Sequence, residues 1–124
     1  MSANAKHKSF SITAALAQHL LVAFTANRGE VAPATAATQK IAGALDMGAD
    51  AAGDMVDIPM EGIAKVRLGG VVAAGDKLTS DGNSKAVAAT FTAAQTKYVF
   101  GEALEPGVAN DIIWYRVAPS VIAG

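Results

Sequence analysis

The chain has 124 residues, 52% of them hydrophobic, yet 28 are alanine, which contributes far less on burial than Leu or Phe; the length fits one domain with a thin core, which an apolar subunit interface would supplement. Ten Lys and Arg against eleven Asp and Glu, with neither sign gathered in a block, argue against nucleic acid, whose binding rests on clustered basic charge. The absence of cysteine excludes a disulfide framework and thiolate metal sites, and it is compatible with a reducing cytoplasm.

Residues 1–9 form a polar arm with Lys6, His7 and Lys8 and no partner pattern of its own, so mobility is expected there, with one β-rich domain over residues 10–124. Ser9 to Asn27 carries no Asp, Glu, Lys or Arg, but its Ser, Thr, Gln and His side chains argue against a membrane span. Lys6 and Lys8 ahead of Ala15-Leu16-Ala17 resemble a signal peptide weakly, because the apolar stretch between them is short and broken by hydroxyls. A soluble protein made and used without export is expected. Between Ile12 and Phe24 both periods compete; Leu20, Val22 and Phe24 alternate as in a strand.

The clearest local signal begins at Asp54, where Val56, Ile58 and Met60 alternate with Asp57, Pro59 and Glu61. Pro59 predicts an edge strand, since Pro cannot donate to a ladder. Beyond Gly62 the alternation resumes through Ala64, Val66 and Leu68, and Gly69-Gly70 ends it. Asp81-Gly82-Asn83 predicts a hairpin between Lys77-Leu78-Thr79 and Ala86-Val87-Ala88. Tyr98 to Phe100 and Ile112 to Val117 are further strands, separated by the turn region Glu105-Pro106-Gly107. Together these predict a mainly β fold, a small barrel or sandwich with an extended N-terminal arm and little helix, at most one turn near an Ala-rich stretch.

An offset of 55 residues aligns Thr25 with Ser80, Asn27-Arg28-Gly29 with Gly82-Asn83-Ser84 and Ala34-Thr35 with Ala89-Thr90. With small gaps, Ile41-Ala42-Gly43 then lies over Val99-Phe100-Gly101, Leu45 near Leu104, and Asp54-Met55-Val56 near Asp111-Ile112-Ile113. Two related halves, each too small to bury its own face, would pair into one pseudo-symmetric barrel. Similarity by chance among Ala, Gly and Thr is the competing reading.

Catalytic chemistry finds few candidates. The sequence has no nucleophile elbow, phosphate loop, dinucleotide fingerprint or His-Glu-x-x-His pair. His7 and His19 are the only histidines, and no triad pattern accompanies them. Asp46, Asp50, Asp54 and Asp57 lack the order of a calcium loop and read as solvated turn residues; Asp57 and Glu61 read as surface charge. Neither catalytic residues, nor a metal site, nor a cofactor is expected. Trp114-Tyr115 must face opposite sides of a strand, one ring in the core and the other exposed or in an interface, which makes the pair a candidate subunit contact.

The ordered set of motifs resembles the capsid decoration, or cement, proteins of tailed bacteriophages. It comprises Val31-Ala32-Pro33-Ala34-Thr35, Ile41-Ala42-Gly43-Ala44, Ala52 to Val66, Gly69 to Gly82, Ala86 to Ala89, Gly101 to Leu104 and Ile112-Ile113, spanning roughly Phe10 to Val117. Each motif is built of common small residues, and the order of the whole set carries the resemblance. It implies a tulip-like β-barrel, usually a homotrimer, on the outside of the expanded head, bound to the major capsid protein and stabilising the shell against genome pressure, with no cofactor and no reaction. The resemblance also implies a shell-binding arm, Met1 through Ile12, with Lys6, His7, Lys8, Phe10 and Ile12 as its residues. Two other classes compete: a carbohydrate-binding or adhesive β module, for which one Trp is a meagre aromatic supply, and an enzyme, for which His19 would be the cheapest general base.

Overall fold

The computed structural model describes residues 5–90 and 93–123. Nine strands follow in chain order: β1 (Ala5–Ile12), β2 (Leu21–Phe24), β3 (Glu30–Pro33), β4 (Ile41–Ala44), β5 (Met55–Arg67), β6 (Lys77–Ser80), β7 (Ala86–Ala88), β8 (Thr96–Ala103) and β9 (Ile112–Ala123). They form one sheet in the order β4-β2-β3-β1-β5-β9-β8-β6-β7, curled into a half-barrel. The fold is mainly β as expected, and neither a helix nor the helical turn allowed for near an Ala-rich stretch occurs among the described residues.

The hairpin expected around Asp81-Gly82-Asn83 joins β6 to β7, and the Asp81 carboxylate accepts from the backbone N–H groups of Asn83 and Lys85 to hold the turn. The two segments on either side of Gly62 are a single strand. Gly62, at φ 89°, marks where β5 changes partners: Met55 to Gly62 pair with β1, and Ile63 to Arg67 pair with β9. Pro59 therefore stands in a central strand and not in an edge one. Its backbone nitrogen shares the strand edge of Asp57, which faces away from β1 and receives only the Asp46 N–H before β9 joins at Ile63, so no ladder bond is lost.

Backbone bonding shows two related halves, one from β1 to the start of β5, the other from the end of β5 to β9. β2 pairs antiparallel with β3 and β4, as β6 does with β7 and β8. The parallel contact of Ile12 with Val31 has its equivalent in Leu68 with Ala86. The Ile12 N–H donates to Asp54 O (3.0 Å), as the Leu68 N–H does to Asp111 O (2.8 Å). Left-handed backbone recurs at matching turns, Gly29 with Ser84, His19 with Gly75 and Gly53 with Asn110.

Each half has its own apolar centre. Phe10, Ile12, Val22, Val31, Val56 and Ile58 fill the first. The second is larger, because Leu21, Ala23, Ala34 and Ile41 of the first half pack onto Val66, Leu68, Leu78, Phe100 and Tyr115 of the second. Alternation along β2 explains the division: Val22 points into its own half, while Leu21 and Ala23 join the halves. The buried Ser84 hydroxyl donates to Ala34 O (2.6 Å) across the same junction.

Candidate functional site

The outward face of β1, β5 and β9 carries the groups that could meet a partner. The duplication allows it to be compared with itself. In the first half, Ser11 lies beside Met55, Ser9 beside Asp57 and His7 beside Pro59. At the matching places of the second half, Arg67 lies beside Ile112, Lys65 beside Trp114 and Ile63 beside Arg116. The strand-end bond from the Asp46 N–H to Asp57 O (3.1 Å) recurs as Leu104 N–H to Trp114 O (3.1 Å), which matches Asp46 with Leu104 and Asp57 with Trp114. The bridges Leu16 with Ala49 and Val72 with Gly107 likewise match Ala15 with Val71.

The interactions differ accordingly. In the first half the Ser9 hydroxyl donates to the Asp57 carboxylate (2.6 Å). In the second, the Lys65 ammonium sits 4.7 Å from the centre of the Trp114 ring, a cation–π contact, and Glu105 accepts from the Trp114 backbone N–H (3.0 Å). Arg116 pairs with Glu102. Trp114, 46% exposed, shares a surface hollow with Ile63 and Leu104, and Ile112 stands two residues away on the same face of β9, 42% exposed.

A groove of about 350 Å³ is lined by His7, Gln18, His19 and Asp46 of the first half and by Lys65 and Trp114 of the second. It gathers both histidines of the chain. His7 Nε2 lies 3.6 Å from Asp46 Oδ2. His19, held at φ 67°, is partly buried with Nδ1 unpartnered; burial, with Lys65 nearby, pushes its pKa below the ordinary histidine value. No group of three or more His, Cys, Asp or Glu able to hold a metal occurs among the described residues. Asp54 is engaged in a turn, accepting from the Asp50 and Ala51 N–H groups.

The comparisons with known proteins bear on the fold. No family model matches the sequence, and no curated protein matches it. Among solved structures, the head fiber gp8.5 N base of bacteriophage phi29 is similar at a TM-score of 0.62 and 20% identity, over 91% of this chain and 93% of that one. The two share a fold.

The expected shell-binding residues are dispersed by the structure. Phe10 and Ile12 are core residues, 5% and 1% exposed, because they occupy the inward positions of β1. The boundary placed after Ser9 is no structural break: residues 5–9 already pair with β5, Lys6 opposite Glu61 and Lys8 opposite Ile58. Residues 1–4 lie outside the described residues. Of the pair Trp114-Tyr115, Trp114 faces outward and Tyr115 is fully buried against Phe100, ring centres 5.1 Å apart. Sequence reasoning missed Lys65 and Leu104 as companions of Trp114; the signal was their mismatch with Ser9 and Asp46.

Proposed function

We propose that this chain is a non-enzymatic structural protein of a phage head, a decoration or cement protein that binds the outer surface of the expanded shell as a homotrimer and stabilises it against internal genome pressure. The observation that carries this reading is the fold shared along nine-tenths of both chains with the head fiber base of phi29. The order of sequence motifs supports the same assignment independently. The physical logic is avidity: many copies bridging neighbouring capsomers add modest contacts that must break together. Preference for the expanded shell follows when the docking surfaces on the shell exist only in that state. The major capsid protein is the partner on this reading, and the virion is the location.

Trp114 beside the groove favours a second reading, glycan binding by an adhesive module. Lys65 already covers its ring, which leaves less platform for a sugar, and the head reading is preferred. Quantitative mass spectrometry of purified virions tests the choice. A copy number near that of the major capsid protein is expected; absence from intact particles would remove the head reading.

A further inference from the structure

The duplication supplies an internal control for surface chemistry. In two halves with the same backbone bonding, inward residues are held to what packs in the core, and outward residues are free to diverge. At matching outward positions Asp57 becomes Trp114, Asp46 becomes Leu104, Ala15 becomes Val71 and Ser9 becomes Lys65. Each change enlarges the side chain, and the carboxylates give way to apolar groups. None of this serves the core, since Trp114, Leu104 and Val71 remain 46%, 43% and 79% exposed. Trp114 and Leu104 line one surface hollow with Ile63, and exposed apolar groups gathered in this way mark an interaction surface.

The charge pattern selects the occupant. On the second half, Glu102 neutralises Arg116, and Glu105 is engaged by the Trp114 backbone, while Lys65 and Arg67 bring positive charge beside the apolar cluster. The first half presents Asp46 and Asp57 beside Met47 and Met55, which are 67% and 65% exposed. A contact of like faces would set Lys65 and Arg67 against themselves, or Asp46 and Asp57 against themselves. Unlike faces match both in charge and in apolar content.

We infer that the outward face of the second half, centred on Trp114, docks onto the acidic outward face of the first half of another copy, making a head-to-tail contact. Such a contact is heterologous, and in the proposed homotrimer its rotation returns to the first copy after three steps and closes a ring. This deepens the proposed homotrimer by naming the surfaces that make it, and it rests on that part of the reading alone; binding to a shell is a separate matter.

The test uses the full chain in solution. Two variants each break one face: Trp114→Asp with Lys65→Ser, which restores the chemistry of the first half, and Asp46→Lys with Asp57→Lys. Circular dichroism and thermal melting establish that each is folded. Sedimentation velocity is expected to show the parent protein as a closed oligomer and each variant as a monomer. An equimolar mixture is expected to form a 1:1 dimer and nothing larger, because one intact pair of faces remains. A parent protein that is monomeric at about 100 μM, far above the micromolar constants of specific contacts, would overturn the inference. Either variant remaining oligomeric, or a mixture that stays monomeric, would overturn it as well. Co-sedimentation of the parent protein with expanded heads, measured in parallel, separates the two failures: a monomer that binds heads assigns the Trp114 face to the shell, and a closed oligomer that does not bind removes the head reading and keeps the contact.

Discussion

The two halves of this chain solve the same backbone problem with different side chains, and the differences separate what the fold requires from what it leaves free. Where the first half has Ile58, the second has Tyr115, and the glycines facing them, Gly43 and Gly101, are held open by each. Leu21 stands buried where the second half has exposed Lys77, since only the first half turns that face toward its neighbour. Inward changes follow packing between the halves. Outward changes, Asp57 to Trp114 above all, answer to no packing between the halves, since Trp114 meets only its own half and solvent, apart from the groove.

The sharpest test of this equivalence is at the paired glycines. A Cβ at Gly101 would lie 2.3 Å from Arg116 O and 2.7 Å from Tyr115 Cδ2, where a backbone atom must move. Gly101→Ala is expected to cost about 3 kcal/mol or more in urea denaturation. Gly43→Ala meets the Ile58 Cγ2 methyl at 3.0 Å and nothing else closer than 3.6 Å, but at φ 147°, and is expected to cost less, about 1 to 2 kcal/mol. Equal costs would mean that Tyr115 does not crowd its half as described. Next in size is Leu21→Ala, expected to lose about 2 to 4 kcal/mol because it opens a cavity between the halves, while Lys77→Ala stays within about 0.5 kcal/mol. A cost at Lys77 matching that at Leu21 would break the asymmetry.

Ionisation gives two smaller contrasts. Burial pushes the Tyr115 pKa up to about 12, and its hydroxyl approaches the Ala44 backbone without forming a full hydrogen bond. The folded state thus favours the neutral phenol. That preference is harmless below the unfolded value near 10, and stability falls as pH rises from about 10 to about 12. Hydrogen exchange should show the second half opening first on this alkaline limb, and Tyr115→Phe should remove the fall. His19 works in the opposite direction: its lowered pKa means that stability is present above about 6.5 and declines as pH drops below that value. His19→Gly copies Gly75, relieves the left-handed backbone and should flatten the acid limb, with a net change of about 1 kcal/mol or less in either sense. An unchanged acid limb would assign it to other groups.

Much of this was legible in the sequence because it is local. The β6–β7 hairpin follows from Asp81-Gly82-Asn83, and the opposed fates of Trp114 and Tyr115 follow from strand alternation alone. The duplication was also visible, but matching by residue type set Leu45 against Leu104, whereas the backbone bonds set Leu45 against Ala103 and Asp46 against Leu104. Alignment rewards identity, and the specialised face is where identity is lost. β1 was illegible for another reason: Ala5 to Ser9 has no apolar alternation, and its strand exists only because β5, some fifty residues away, offers an edge. Pro59 misled in the same way, since one strand can have an open edge along half its length and a partner along the rest.

The proposed binding to the outside of a phage head is tested most directly by co-sedimentation of the purified chain with expanded phage heads. Saturable binding is predicted, at a ratio to the capsid protein that matches the virion and with little binding to unexpanded shells. A protein that stays in the supernatant with expanded heads at every concentration would contradict it.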